Sequence, residues 1–231
     1  MTTEKALRPV LAFDVYGTLL DTGALADMMR DALGDQAEAV SEAWRARQLN
    51  LAFRRGLMGR YVDFALCTQD ALDAVLKEGG HHLDEAQRKA ILKGYGTLPP
   101  HSDTLAGLKA LRAQDVTMVA FSNGTADAMR NVLTQAGLID QFDALVSVDD
   151  IKRFKPDPQV YLHLMRTMGS SPDTTWLVSS NAWDIQGARH VGLNAAWVHR
   201  DCSVIEDEAL APTHTVDSLE ALATWWSQCA P

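Results

Sequence analysis

The segment VLAFDVYGTL, residues 10–19, decides how the rest of the chain is interpreted. An apolar run with the length of a buried strand leads to one carboxylate, Asp14, and Gly17 then breaks the pattern. In open parallel α/β sheets, ligands bind beside the carboxyl ends of the strands. An acidic residue at this position is therefore a candidate active-site residue. A single aspartate there more often merely opens a turn. The functional interpretation therefore depends on segments later in the chain.

The composition argues against several classes of protein. The chain has 231 residues and a net charge of -9, and nucleic-acid phosphates need a concentrated basic face, so we expect no nucleic-acid partner. No run of about 18 apolar residues is present and the opening residues lack the apolar region of a signal peptide, so we expect no membrane association. Cys67, Cys202 and Cys229 are too widely spaced to indicate a disulfide framework or a zinc site, which favours a cytoplasmic location.

The pattern of the chain changes near residue 100. Between residues 21 and 99, apolar residues recur at helical spacing, and Pro99 and Pro100 close this part because paired prolines end a helix. From His101 onward, helices alternate with apolar strands, which is typical of a parallel sheet with right-handed crossovers. The sequence therefore predicts an α/β fold. A doubly wound, Rossmann-like core is formed by residues 1–20 and 100–231, and an all-helical cap domain, residues 21–99, is inserted after the first strand.

The spacing of apolar residues also predicts the individual elements. The predicted helices span residues 24–33, 37–57, 61–77, 84–92, 104–113, 127–136, 158–168, 185–191 and 219–226. After the strand that precedes Asp14, the predicted strands span residues 116–121, 142–148, 175–180 and 195–199.

Polar residues stand at or just beyond the ends of the predicted strands. They are Asp14, Ser122 with Asn123, Lys155, and the run SSNAWD at residues 179–184. Each has an ordinary explanation when taken singly: a turn hydroxyl for Ser122, a solvated lysine for Lys155, and a helix N-cap for Asn181. Because the carboxyl ends of parallel strands lie on one edge of a sheet, all of them are expected to converge on one crevice. Their convergence, rather than any single residue, indicates an active site.

Four ordered motifs resemble those of a known superfamily. They are FDVYGTL at residues 13–19, SNG at 122–124, FKPDP at 154–158 and SSNAWD at 179–184, and they are similar to the motifs of the haloacid dehalogenase superfamily. More narrowly, they resemble the L-2-haloacid dehalogenases, and the segment WRARQL at residues 44–49 is similar to the arginine-bearing helix of that family. The resemblance covers nearly the whole chain. It implies hydrolytic conversion of short L-2-haloalkanoic acids to D-2-hydroxy acids.

The residues favour dehalogenation on chemical grounds as well. A phosphatase of the superfamily carries a second aspartate two residues after the nucleophile, to protonate a departing alkoxide, and this chain has Tyr16 at that position. A halide needs no proton to leave, so the loss of that acid is tolerable for dehalogenation. Magnesium prefers several oxygen ligands, whereas Tyr16 and Asn181 stand where carboxylates would be expected. We therefore expect neither a metal nor a cofactor.

The chemistry is assigned to a few residues. Asp14 is the expected nucleophile, which attacks the halogen-bearing carbon in line, inverts it and forms an ester with the enzyme. Lys155 is expected to keep Asp14 ionised, since a nearby opposite charge favours the carboxylate form. The resemblance implies that Asp184 orients or deprotonates the water that cleaves the ester, with Asn181 close by.

Supporting residues complete the expected catalytic group. Thr18 and Ser179 are expected to hydrogen-bond and orient it. The resemblance implies that Tyr161 supports the lysine, while the sequence alone explains Tyr161 equally well by core packing. The hydroxyl of Ser122, with backbone N–H groups after Asp14, suits the carboxylate of the substrate because hydrogen bonds to a charged acceptor are strong.

The departing halide calls for a cation and amide donors. Arg45, Asn123 and Asn181 are the expected donors, although a solvated helix charge is the ordinary explanation for Arg45. Arg45 and Leu49 are one helical turn apart and share a face, so one helix can supply both a cation and part of an apolar wall. The residues expected to line that wall are Tyr16, Leu49, Phe64 and Trp183.

Two alternatives stay open. One is a magnesium-dependent phosphomonoesterase of the same superfamily, against which Tyr16 and Asn181 argue. The other is a non-catalytic binding member, which would have to retain without use the set Asp14, Thr18, Ser122, Lys155 and Asp184. The expected partner is a small-molecule 2-haloacid, and a homodimer is implied by the resemblance only.

Overall fold

Helices and strands alternate along most of the chain. The structure is a computed structural model that describes residues 8–229, so residues 1–7 and 230–231 of the predicted core lie outside the described residues. The strands are β1 (Val10–Phe13), β2 (Thr117–Ser122), β3 (Ala144–Ser147), β4 (Thr175–Ser179), β5 (Asn194–Val198) and β6 (His214–Val216). The helices are α1 (Ala24–Leu33), α2 (Ala37–Leu57), α3 (Phe64–Gly79), α4 (Glu85–Gly94), α5 (Thr104–Arg112), α6 (Ala126–Gln135), α7 (Pro158–Met168), α8 (Ala182–His190) and α9 (Leu219–Cys229).

The six strands found in the described residues form one parallel sheet. Their order is β3-β2-β1-β4-β5-β6, with β1 in the centre, hydrogen-bonded to β2 on one side and to β4 on the other. The chain moves outward from β1 in one direction and then returns to continue in the other, which is the doubly wound arrangement with its switch point beside β1. The fold class predicted from the sequence is therefore confirmed. The short edge strand β6 was not predicted, because its three residues carry too little pattern.

The two faces of the sheet bury different residues of β1. Leu11 and Phe13 belong to the apolar cluster that contains Leu108 and Leu111 of α5. Val10 and Ala12 alternate with them and belong to the cluster formed with α7 and α8. Because successive side chains of a strand point to opposite faces, this sharing shows that β1 is covered on both sides. Such covering explains why residues 10–13 are continuously apolar.

Residues 21–99, called the helical segment below, contain α1 to α4 and no strand. Buried polar contacts hold α2 against α3: the Trp44 indole Nε1 donates to the Thr68 carbonyl at 2.8 Å, and Gln48 Nε2 donates to Thr68 Oγ1 at 2.5 Å. Both side chains on α2 are fully buried. A paired polar contact of this kind gives two helices a defined register. Among the described residues, no helix combines the length and the apolar character that crossing a membrane requires.

Two helix starts differ from the sequence prediction in an informative way. Helix α3 begins at Phe64 rather than residue 61, because the Asp63 side chain caps it by accepting from the Leu66 N–H at 2.7 Å. Helix α8 begins at Ala182 rather than residue 185, which places Asp184 inside its first turn. The side chain of Asp184 is thereby carried by a rigid element instead of a loop.

Candidate active site

Asp14 lies one residue beyond the central strand β1 and is only 6% exposed. The chain then turns sharply at Gly17, whose φ of 89° lies in the left-handed region that favours glycine. This turn brings the Thr18 hydroxyl back to Asp14, where Thr18 Oγ1 donates to Oδ2 at 3.0 Å. The strand, the glycine and the threonine thus hold the carboxylate in one orientation at the switch point of the sheet.

Ser180 supports this turn and was not assigned from the sequence. Its backbone N–H donates to Thr18 Oγ1 at 2.8 Å, and its own hydroxyl donates to the Gly17 carbonyl at 2.8 Å. The neighbouring Ser179, which was expected to orient the catalytic groups, instead accepts from the Asn181 backbone N–H at 3.1 Å. Successive residues at a strand end point in opposite directions, and the sequence could not decide which serine faces Asp14.

Asn181 contacts Asp14 directly. Its side-chain Nδ2 donates to Asp14 Oδ2 at 2.8 Å and reaches the Tyr16 carbonyl at 3.3 Å. Asn181 precedes α8, so its position is set by the end of β4 and the start of that helix. An amide at this place gives the carboxylate a neutral donor beside the hydroxyl of Thr18.

Lys155 is the central cation of the site and is fully buried. Its Nζ lies 3.2 Å from Asp14 Oδ1 and 2.9 Å from Asp184 Oδ2, and it donates to the Phe121 carbonyl at 2.9 Å. Burial lowers the pKa of Lys155, but the charges of Asp14 and Asp184 outweigh it, and the net direction is upward. The ammonium therefore keeps its charge at neutral pH and links the two carboxylates.

Asp184 is also fully buried, and Tyr161 holds its side chain. The Tyr161 hydroxyl donates to Asp184 Oδ1 at 2.7 Å, so the tyrosine supports the aspartate rather than Lys155. Burial raises the pKa of Asp184, the Lys155 charge opposes this, and the net direction is upward. A carboxyl whose pKa is raised is a better proton acceptor than an ordinary aspartate.

Lys155 lies between the two carboxylates of the site. Asp14 and Asp184 both contact its ammonium nitrogen, at 3.2 Å and 2.9 Å. Asn181 supplies Asp14 with an amide nitrogen, which is a donor and cannot ligate a cation. Within residues 8–229, no group of three or more His, Cys, Asp or Glu side chains is arranged to hold a metal ion.

Ser122 and Asn123 lie at the end of β2 and are buried. Ser122 Oγ accepts from the Gly124 backbone N–H at 3.1 Å. Asn123, expected as a donor to the halide, uses its side-chain oxygen to accept from the Lys155 backbone N–H at 2.9 Å. In the structure the Asn123 side-chain oxygen therefore fixes the backbone at Lys155. The Nδ2 group of Asn123 can still donate to an anion.

Arg45 reaches from α2 to the loop that follows Asp14. Its Nη1 donates to Gln48 Oε1 at 2.7 Å, and its Nη2 donates to the Tyr16 carbonyl at 3.3 Å. Asn181 Nδ2 contacts the same carbonyl, so a cation and an amide meet there. Arg45 also lines a cavity of about 660 Å³, together with Leu49, Asn181 and Trp183. The cation on the helical segment thus contacts the loop that follows Asp14, is partly exposed and donates to neutral oxygens.

The four residues expected to form an apolar wall line two different cavities. Leu49 and Trp183 line the cavity beside Arg45, whereas Tyr16 and Phe64 line a separate cavity of about 280 Å³. The ring of Tyr16 packs 5.8 Å from that of Tyr95, and burial raises the pKa of Tyr16 well above its ordinary value. A single wall formed by all four residues stays a prediction.

Two further side chains hold the loop after Asp14, and neither was singled out from the sequence. Arg200, beyond β5, donates from Nε to the Thr18 carbonyl at 3.1 Å and pairs with Asp103 at 3.0 Å. His101 Nε2 lies 3.1 Å from the Gly17 carbonyl. Burial lowers the pKa of His101, so the ring is neutral at pH 7, and Nε2 must carry its proton to donate there. His101 follows the proline pair at residues 99 and 100, and Arg200 follows the end of β5. These positions are the signal in the sequence that could have indicated the two residues.

Comparison with known proteins agrees with these features. A family model for haloacid dehalogenase-like hydrolases matches residues 9–192. The chain is 37% identical over 215 residues to the (S)-2-haloacid dehalogenase H-109 of Pseudomonas putida, covering 93% of this chain and 96% of the relative. The solved L-2-haloacid dehalogenase of Xanthobacter autotrophicus superposes with a TM-score of 0.87 at 30% identity, covering 97% of this chain and all (100%) of the other.

The same Xanthobacter autotrophicus enzyme has been solved with chloropropionic acid covalently bound, again with a TM-score of 0.87 and 30% identity. The match with the family model extends over most of the chain and includes all four motifs. The ordered motifs, the parallel sheet and these similarities agree with one another and with the family expected from the sequence. The chain belongs to the haloacid dehalogenase-like hydrolases, in the branch of the L-2-haloacid dehalogenases.

Proposed function

We propose that the protein hydrolyses short L-2-haloalkanoic acids to D-2-hydroxy acids through an ester on Asp14, without a metal. The observation that carries the proposal is the buried arrangement in which one ammonium, Lys155, binds both Asp14 and Asp184. That arrangement supplies a nucleophile, a fixed cation and a second carboxylate within one hydrogen-bonded group. It provides no proton donor at residue 16 beyond a buried tyrosine, whose pKa is raised by burial.

The first step is a displacement at carbon. Asp14 is pre-oriented by Thr18 and Asn181 on Oδ2 and by Lys155 on Oδ1, so little rearrangement is needed before attack. One carboxylate oxygen forms a bond to C2 of the substrate while the carbon–halogen bond breaks and the halide takes the electron pair. Attack from the side opposite the halogen inverts the centre, which converts an L substrate into a D product.

The two anions of the first step need separate donors. Arg45 and Asn181, which meet at the Tyr16 carbonyl, are proposed to stabilise the departing halide. Ser122, whose Oγ already accepts from Gly124, has its own hydroxyl proton to donate to the substrate carboxylate. The covalently bound chloropropionic acid in the Xanthobacter relative supports a covalent step of this kind.

The second step is hydrolysis of the ester. Asp184 lies across Lys155 from Asp14 and, with its raised pKa, is proposed to accept a proton from water that attacks the Asp14 carbonyl carbon. The bond between that carbon and the ester oxygen, which came from Asp14, then breaks. The departing alkoxide takes a proton to become the hydroxy acid, and an oxygen from water completes the regenerated Asp14 carboxylate. Tyr161 holds Asp184 in place, and Asn123 holds the backbone of Lys155.

The helical segment is proposed to act as a cap. It contributes Arg45 to the loop after Asp14 and, through Leu49, part of the cavity wall. A cap of this kind excludes water during the displacement and admits it only for hydrolysis. By resemblance we also propose a homodimer, which light scattering coupled to size exclusion would test.

The proposal is tested by measuring halide release from each enantiomer of 2-chloropropionate in the presence of a chelator. We expect release from the L form only, with D-lactate as the product on a chiral column. Hydrolysis in water labelled with oxygen-18 under single turnover should place the label in Asp14 rather than in lactate. Magnesium-dependent release of phosphate from an aryl phosphate, without halide release, would instead establish the phosphomonoesterase alternative.

A further inference from the structure

Gly187 is a helical residue whose glycine identity the backbone does not require. It is buried on α8, three residues after Asp184, and therefore lies on the same face of the helix as that carboxylate. Alanine is the better helix former at an interior position, so a glycine there needs a reason in its surroundings. The reason is space.

Pro156 and Tyr161 occupy the space that a side chain at residue 187 would need. A Cβ on Gly187 would lie 2.7 Å from Pro156 Cβ and 2.9 Å from Tyr161 Cε2, and it would overlap the Tyr161 hydroxyl oxygen. Real Cβ atoms essentially never come so close to other heavy atoms, so one of these neighbours would have to move. Pro156 follows Lys155 directly, and Tyr161 donates to Asp184 Oδ1 at 2.7 Å.

Neither neighbour can move at small cost. The Tyr161 ring is fully buried and packs edge-on against Phe121 with the ring centroids 5.9 Å apart. A close-packed interior leaves such a ring no free volume into which to rotate. Pro156 is a rigid ring at the end of the segment that carries Lys155. An added methyl group would therefore displace the Tyr161 hydroxyl from Asp184 or push α8 away from the lysine.

We infer that Gly187 is a positioning residue for ester hydrolysis, because its missing side chain allows the Tyr161 hydroxyl to hold Asp184 beside Lys155. The inference rests on the proposed function. It concerns the second step, in which water and the Asp14 ester give the hydroxy acid, the Asp14 carboxylate and one proton that Asp184 first accepts. The donors that hold Asp14 Oδ2 for the first step are Thr18 and Asn181. The heavy atoms nearest to an added Cβ belong instead to Tyr161 and Pro156.

The test is Gly187→Ala, followed by rapid-quench measurement of halide and by intact-protein mass spectrometry. We expect the first equivalent of halide to be released at close to the wild-type rate. Steady-state turnover should fall by about 30- to 100-fold, a part of what a general base contributes, and the Asp14 ester should accumulate. A glycine that served only the stability of the fold would change the two steps together or neither of them.

Gly56→Ala is the matched control. Gly56 also lies within a helix, α2, but its added Cβ would meet Phe154 Cδ2 at an ordinary 3.8 Å. The control should show unchanged rates for both steps. Equal loss of the halide burst and of turnover in Gly187→Ala, or normal turnover in it, would overturn the inference.

Tyr161→Phe keeps the inference testable should Gly187→Ala fail to fold. This variant removes only the hydroxyl through which Gly187 is inferred to act, so it should reproduce the retained burst and the accumulated ester. Normal turnover in Tyr161→Phe would refute the inference irrespective of the glycine variant. Absence of halide release from the wild-type protein would count against the proposed function instead, and the two failures are thereby distinguished.

Discussion

Lys155 and Arg45, the two cations described above, differ in burial and in the charge of their partners. Lys155 is fully buried and contacts two carboxylates and a carbonyl, which lie directly after β1, on α8 and on β2. Arg45 belongs to the helical segment, is partly exposed, and donates to the neutral oxygens of Gln48 and Tyr16. A buried cation between two carboxylates cannot exchange its partners without a large loss of energy, whereas an arginine bound to neutral oxygens can.

This difference indicates different roles for the residues around Lys155, called the Lys155 end, and for those around Arg45, called the Arg45 end. The Lys155 end has the geometry of a preorganised catalytic group, where carboxylates, tyrosine and lysine already satisfy one another. The Arg45 end can replace a carbonyl or amide oxygen by an anion that arrives with the substrate. We therefore expect substitutions at the Lys155 end to affect both folding and chemistry, and substitutions at the Arg45 end to affect chemistry alone. The four predictions below test that contrast.

The largest effect is expected from Asp14→Asn. The amide has the size of the carboxylate but cannot displace a halide, so turnover should fall by about 10⁴-fold or more, as for other removed nucleophiles. Halide release by ion chromatography measures it, and circular dichroism checks that the fold is kept. Turnover within tenfold of the wild type would show that Asp14 is not the nucleophile.

Lys155→Met is expected to have the next largest effect. It leaves Asp14 and Asp184 buried without their common cation, and breaking a buried ion pair destabilises by about 3–5 kcal/mol. Urea unfolding should report this loss, together with turnover near background. Arg45→Met is the matched comparison, because its side chain is half-exposed and its partners are neutral. Equal destabilisation by the two variants would contradict the contrast between the two ends.

Tyr161→Phe should change the pH dependence of turnover. Burial raises the pKa of Asp184, and the hydrogen bond from Tyr161 lowers it in part. Removal of that hydrogen bond raises the pKa further, so that the reactive carboxylate is lost at a higher pH as the solution is acidified. The acidic limb of the kcat profile should therefore move to higher pH. An unmoved limb, with the fold intact, would mean that Asp184 does not control this limb.

Arg45→Lys is expected to have the smallest effect of the four. The charge is kept, but a single ammonium cannot span Gln48 and the Tyr16 carbonyl as the forked guanidinium does. Turnover of 2-chloropropionate should fall by about tenfold, the value of one charge-assisted hydrogen bond, with unchanged stability. Arg47→Lys, on the same helix and paired with Glu78, is the control and should leave turnover unchanged.

The fold and most of the candidate site could be predicted because they depend on local patterns. The apolar run at residues 10–13 and the alternation after residue 100 predict a parallel sheet, to which the structure adds the strand order with β1 in the centre. Polar residues at strand ends are brought together by the topology itself, so Asp14, Lys155 and Asp184 could be grouped without knowing any distance. For the secondary structure, the differences lie at element ends and at the short strand β6.

Contacts between distant residues could not be predicted in the same way. Ser180 rather than Ser179 reaches Thr18, which is 162 residues away in the chain, and Tyr161 reaches Asp184 rather than Lys155. The sequence pattern reports which residues are buried, but a buried side chain can satisfy its hydrogen bonds with any neighbour in reach.

The sequence by itself determined the class of fold, the family and the residues that carry charge into the site, because period and motif are properties of neighbouring residues. Only the tertiary structure decided how the cavity walls divide around Tyr16, which side chains hold the loop after Asp14, and why residue 187 has no side chain. These features depend on the space that remains once helices from distant parts of the chain have packed on the sheet. Close packing is a property of the whole molecule, and no local pattern contains it.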